Sequence, residues 1–186
     1  MQRGDNMKKT ILSMLVIAAM LLCFVGCATK PVEKISGDWW NNPPADTDQY
    51  HYEVGYAKGS NLMTSREWAK ANANAALAQY VSNSVDSIVT TYLNDAGELA
   101  TNNMQSLQAF ESVSKQNAKA IIAGVTFQYT EKDDGVYVLA KMPIKDFAEI
   151  LKTTFAENQQ TFQTNAAAIE ATDKMNAAID KYFGRN

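Results

Sequence analysis

The chain is short of most of the residues from which reactive sites are built. It has two cysteines, Cys23 and Cys27, and one histidine, His51. No cysteine follows Cys27, so the rest of the chain holds no disulfide and its stability has to come from packing. A general base or a metal site could use His51, but nothing stands beside it at ligand spacing, and it reads as a surface residue on a strand. Basic clusters are missing as well. The net charge is −3, and no run of like charge exceeds a few residues. An acidic chain without clustered Lys and Arg is a poor partner for phosphate backbones, which excludes a nucleic-acid binder. Calcium and phosphate loops are absent too. Asp46/Asp48 lie in a polar stretch and Asp133/Asp134 in a hairpin turn, neither with the spacing of a calcium loop. Gly55-Tyr56-Ala57-Lys58-Gly59-Ser60 lacks the Gly-Lys-Ser/Thr ending of a phosphate loop and reads as a strand-to-helix turn. Scattered serines without a base partner do not make a hydrolase. No catalytic residue, metal site or cofactor is expected.

What is present is concentrated at one end. Met7-Lys8-Lys9-Thr10 is followed by an almost wholly apolar stretch over residues 11–25, then Gly26-Cys27-Ala28. The stretch is shorter than the roughly 20 residues that a membrane-crossing helix needs, and its flank is basic. It resembles a bacterial lipoprotein signal, in which cleavage before the cysteine leaves Cys27 as the lipidated first residue. Phe24 stands where such signals prefer Leu; Val25, Gly26 and Cys27 fit. The alternatives are an ordinary secreted protein cut near Ala28 and an uncleaved membrane anchor. Met7 is a candidate true start in place of Met1. Each buried methylene contributes about 0.8 kcal/mol, so two or more acyl chains hold a protein on a membrane where one does not. Ala28, rather than Asp, after the cysteine favours the outer membrane by analogy with bacterial sorting. Without residues 1–26 the chain keeps 14 basic residues (17 less Arg3, Lys8 and Lys9) and 19 acidic ones (20 less Asp5), a net −5.

The expected organisation is a signal over residues 1–26, the lipidated cysteine and a tether over 27–49, an α+β domain over 50–155 and a helical extension over 156–186. The tether is rich in turn chemistry: Lys30-Pro31, Ser36-Gly37, Asn41-Asn42-Pro43-Pro44 and Asp46-Thr47-Asp48. Trp39-Trp40 interrupts it and reads as a cap on the core, with a membrane or partner contact as the alternatives. Residues 50–57 form a strand, with Tyr50, Tyr52, Val54 and Tyr56 on one face and His51, Glu53 and Gly55 on the other. Thr64 with Glu67 suggests a capping box, and Met63 with Trp68 a hydrophobic staple. The stripe Ala73, Leu77, Tyr80, Val81, Val85, Ile88, Tyr92 then suits a helix lying on a sheet, with Gly97 as its stop. A second helix spans about residues 98–123. Val125, Phe127 and Tyr129 begin a hairpin that turns at Asp133-Asp134-Gly135 and returns through Val136, Val138, Ala140 and Met142. Pro143 opens the last helix, which could run unbroken to Phe183, about 60 Å. Phe155, Phe162, Ile169, Asn176 and Phe183 recur every seven residues along it, half of a coiled-coil seam with polar residues in the other half. Two readings stay open: a helix that folds back along the second helix of its own molecule, and a surface for self-association. The fold class is α+β, a three-stranded antiparallel sheet packed by helices in the order β-α-α-β-β-α with a long C-terminal helix.

Trp39-Trp40-Asn41-Asn42-Pro43-Pro44, the strand Tyr50-His51-Tyr52-Glu53-Val54-Gly55-Tyr56-Ala57 and the alanine-rich helix after it resemble the LPP-twenty family of outer-membrane lipoproteins of about 20 kDa, which includes a flagellar assembly lipoprotein. The likeness runs from about Trp39 to Lys145. It implies a small α+β domain, no catalysis, and a surface or periplasmic lipoprotein, in some members part of structures around the flagellar motor. Only Cys27, as the lipidation site, carries over. The expected function is a non-catalytic outer-membrane lipoprotein with a structural or assembly role in the envelope, as a homo-oligomer or with an envelope or flagellar partner. The alternative is a lipid-anchored module that binds a small apolar ligand or an envelope protein, using the groove between the first two helices and the sheet.

Overall fold

The computed structural model describes residues 35–102, 104–116, 122, 124–162 and 166–184. They belong to one compact unit, Lys34–Asn186. Cys27 and the signal lie outside the described residues, as do residues 117–121 and 123 of the expected second helix. The elements are β1 (Tyr50–Ala57), α1 (Leu62–Ala96), α2 (Glu98–Asn102), α3 (Met104–Gln116), β2 (Thr126–Lys132), β3 (Gly135–Pro143), α4 (Ile144–Phe162) and α5 (Ala166–Tyr182). With α2 and α3 filling the second helical region, the order is β-α-α-β-β-α-α, an α+β fold that ends in a long C-terminal helix. The sheet is antiparallel in the order β1-β3-β2.

α1 exists because its apolar residues return every three or four positions and Gly97, at φ 55°, takes a backbone angle that other residues avoid. Its start is one turn earlier than the Thr64 cap read from sequence. Asn61 is the N-cap, and its side-chain oxygen accepts the Thr64 amide at 2.9 Å. Thr64 is therefore inside the helix, and the staple does not form: Met63 is 72% and Trp68 55% exposed.

Ala69, Ala73, Leu77, Val81, Val85, Ile88 and Tyr92 of α1 are buried, as are Val136, Val138, Ala140 and Met142 of β3. The close fit depends on Gly55 of β1. A Cβ there would lie 2.1 Å from the Ala69 carbonyl oxygen and 2.4 Å from the Ala73 amide. The small-residue side of β1, namely Gly55 and Ala57 with His51, is therefore the side that meets the helix, and the tyrosine side faces away. That outer side is not bare. Residues 35–40 form a strap over it at β2. The Gln128 side chain donates to the Ile35 carbonyl at 2.8 Å and accepts its amide at 2.9 Å. Trp39 is buried, and Trp40 meets it edge-on while lying under the Lys132 ammonium at 3.6 Å. The tryptophan pair thus caps the core, on the sheet's second face.

Pro143 closes β3 instead of opening the helix; Ile144 is the first helical residue. The stretch after it is not one 60 Å helix. Lys152 and Asp180, 28 residues apart, are ion-paired at 2.8 Å. In an unbroken helix they would be about 42 Å apart. Phe147 and Phe183 also touch, with ring centroids 5.4 Å apart. α4 and α5 are thus antiparallel, and α5 lies along α1 and α4, while α3 packs mainly on α4 and α1. Of the seven-residue series, Phe155 is buried and Ile169 is 66% exposed; the Phe162 side chain lies outside the described set. Folding back on the domain, though along α1 and α4 more than along the expected second helix, is what this chain does. Gln159 on α4 is buried with neither its amide nitrogen nor its oxygen partnered among the described residues.

Candidate functional site

His51 is where the structure departs most from the sequence reading. It is 7% exposed, not a surface residue, because it shares the helix-facing side of β1 with Gly55. Its Nδ1 stands 2.6 Å from Asp46 Oδ2 and its Nε2 3.0 Å from Glu53 Oε1. Its ring stacks on Tyr80 of α1, centroids 3.5 Å apart and planes 11° apart. The same Asp46 accepts the Tyr52 amide at 3.1 Å, which fixes the loop before β1 against the strand. Glu53 was within reach of sequence reasoning, two residues from His51 on the same strand face. Tyr80 was read only as part of the α1 stripe, and Asp46 only as turn chemistry. Nothing in the spacing shows that this loop folds over the strand.

Beneath the imidazole the network continues into the helices. The Ser84 hydroxyl donates to the Tyr80 carbonyl at 2.8 Å and accepts the Tyr182 hydroxyl of α5 at 3.1 Å. Burial, then the neighbouring Tyr182, pushes the Tyr80 phenol up to about 12. Tyr137, at the far end of the sheet, reaches about 12 for another reason: it donates to Asp134 at 2.6 Å. These shifts have a defined consequence. A phenol raised in the fold ionises earlier in the unfolded chain, so its contribution is complete below about pH 10 and is lost as pH climbs towards 12. In an ultraviolet titration of the phenolates, Tyr80 and Tyr137 are expected in the last group to ionise, with stability falling over the same window. Tyr80→Phe and Tyr137→Phe should each remove one phenol from that group. Ionisation of all the tyrosines near pH 10 in the folded protein would contradict this.

Both imidazole nitrogens stand within hydrogen-bond distance of a carboxylate of the chain itself, and the ring is almost fully buried. Its geometry is that of a pin joining β1, the preceding loop and α1. Among the described residues no group of three or more His, Cys, Asp or Glu side chains is arranged to hold a metal ion. Near the pin, at the start of β1 and the end of β3, lies an open cleft of about 630 Å³, lined by Asp48, Gln49, Tyr50, Pro143, Lys145 and Asp146. It is an open surface hollow that carries two carboxylates and an ammonium, unlike the enclosed sites that hold small ligands. Asp133 and Asp134 form the two-residue hairpin loop, where the Asp134 carbonyl accepts the Tyr56 hydroxyl at 2.7 Å. Among the described residues no helix is long and apolar enough to cross a membrane. In comparisons with protein families, curated proteins and solved structures, nothing matches the chain.

Proposed function

We propose that this chain is a non-catalytic lipoprotein of the bacterial outer membrane, of the LPP-twenty kind, with a structural or assembly role at the flagellum or another envelope structure. Cys27 carries this reading: a basic start, a short apolar stretch and Val25-Gly26 lead directly to it. The strap supports it. Only seven residues lie between Cys27 and Ile35, the first described residue, which is bound to the sheet, so the reach is about 28 Å fully extended. An acylated Cys27 would keep the domain close to the lipid headgroups instead of letting it range on a long leash. The occupied nitrogens of His51 argue for a scaffold over a catalyst.

The test is growth of cells expressing the chain with a labelled fatty acid. Label is expected in the wild-type protein, which should sediment with the outer membrane; Cys27→Ser should lose the label and be missing from the outer-membrane fraction. Wild-type protein without label, or a Cys27→Ser chain that still takes up label, would refute the reading.

A further inference from the structure

The two edges of the sheet are treated differently. On β1 the outward backbone groups are those of the even-numbered residues, because Ala57, Gly55, Glu53 and His51 bond to β3. Much of that edge is closed by the chain itself. Thr47 exchanges bonds with Tyr50, the Asp46 carboxylate takes the Tyr52 amide, and the Asn72 side chain donates to the Tyr56 carbonyl at 2.8 Å. On β2 the two-residue loop makes Lys132 and Gly135 a hydrogen-bonded pair, so Thr130, Gln128 and Thr126 also bond inward. Phe127, Tyr129 and Glu131 then present their amides and carbonyls outward. No described residue bonds to those six groups. α1 covers β1 and β3 but leaves the helix-side face of β2 to two long side chains, Arg66 paired with Glu131 and Lys70 over the Phe127 ring at 4.8 Å. Tyr129 between them is 40% exposed. Open edges of this sort are templates for another strand.

We propose that β2 pairs antiparallel with β2 of a second copy of this chain, about a twofold axis at Tyr129, joining two three-stranded sheets into one of six strands. The choice of occupant comes from charge. In this register Glu131 lies opposite Phe127 of the second copy, whose ring is covered by Lys70, so each Glu131 meets the other copy's Lys70, twice over by symmetry. Gln128 faces Thr130, Lys132 faces Thr126, and the two Tyr129 rings are neighbours, so no like charges are opposed. A register centred on Glu131 would oppose two carboxylates. Six main-chain bonds over one short strand make a small interface, so the dimer is weak in dilute solution. Two anchored copies meet at raised effective concentration, where a weak pairing is sufficient. The pairing itself does not need the anchor. It deepens the assembly role above, and it stands or falls separately from fatty-acid labelling.

The experiment is light scattering on the full chain in detergent across a hundredfold concentration series, after correction for bound detergent. A monomer–dimer equilibrium is expected. Tyr129→Pro removes one outward amide at an edge position where proline is tolerated, and should weaken the dimer at least tenfold with unchanged circular dichroism. Glu131→Lys should weaken it by about the same factor, and adding Lys70→Glu should restore most of the loss. A monomer at every concentration, whether the Tyr129 and Glu131 amides exchange freely or are protected by the chain's own residues 28–34, overturns the proposal. So does a dimer that Tyr129→Pro and Glu131→Lys leave intact.

Discussion

Gly55→Ala is expected to destabilise the protein by about 3 kcal/mol or more, the upper range for overpacking a core. The new methyl would stand 2.1 Å from the Ala69 carbonyl oxygen and 2.4 Å from the Ala73 amide, with the Ala73 Cβ at 2.9 Å. These are backbone atoms of α1, which no rotamer change moves aside. The helix would have to lift off β1, and with it the row from Ala69 to Tyr92 that forms one wall of the core. A fold with a total stability of about 5–15 kcal/mol tolerates little of this. Gly55→Val should leave no cooperative transition. Gly97→Ala is the control: its space is open, and only its backbone angles, φ 55° and ψ −125°, resist a side chain, so it should cost on the order of 1–3 kcal/mol. Urea melts of the three variants check the order. Equal losses at Gly55 and Gly97 would mean that helix and strand are not in contact at Gly55.

Phe155→Ala is the second large effect, a loss of about 3–5 kcal/mol. The ring is fully buried, edge-on to Phe110 of α3 at 5.4 Å and tilted against Tyr92 of α1 at 5.8 Å. Removing it takes out the point where α1, α3 and α4 meet, and the helix backbones cannot close the cavity without moving together. Ile169 occupies an equivalent place in the seven-residue series but is largely exposed. Ile169→Ala should stay within about 0.5 kcal/mol of wild type, as surface changes do. Thermal melts give the contrast directly, since about 1 kcal/mol corresponds to roughly 3 °C in a chain of this size. Equal shifts would mean that α4 and α5 share one continuous seam.

That contrast also shows how far the sequence could be read. The strand and helix order, the α1 stripe, the Gly97 stop and the return of Val136, Val138, Ala140 and Met142 were all legible, because burial on one face leaves a period of 3.6 or 2. The inner face of β1 was not. The tyrosine side of β1 is partly buried too, at Tyr50, Tyr52 and Val54, and a period of two does not say which side is inside. The tyrosines gave the stronger apolar signal, yet closeness to α1 was decided by the small residues, and His51 went inside with them. The start of α1 was misplaced because Asn61 and Thr64 are both good caps three residues apart. The reversal between α4 and α5 had no local marker. No Gly or Pro lies between Ile144 and Phe183, and a seven-residue period is the same whether the partner helix belongs to the same molecule or to another. Asp46, Glu53 and Tyr80 come together around His51 only through tertiary packing, which local order does not reveal.

The most direct measurement of the central claim is the mass of the N-terminal peptide of the protein isolated from membranes. The account predicts a peptide that begins at Cys27 and carries a diacylglyceryl group on sulfur and a further acyl chain on the amine. A peptide that begins at Met1, Met7 or Ala28, or an unmodified Cys27, would contradict it.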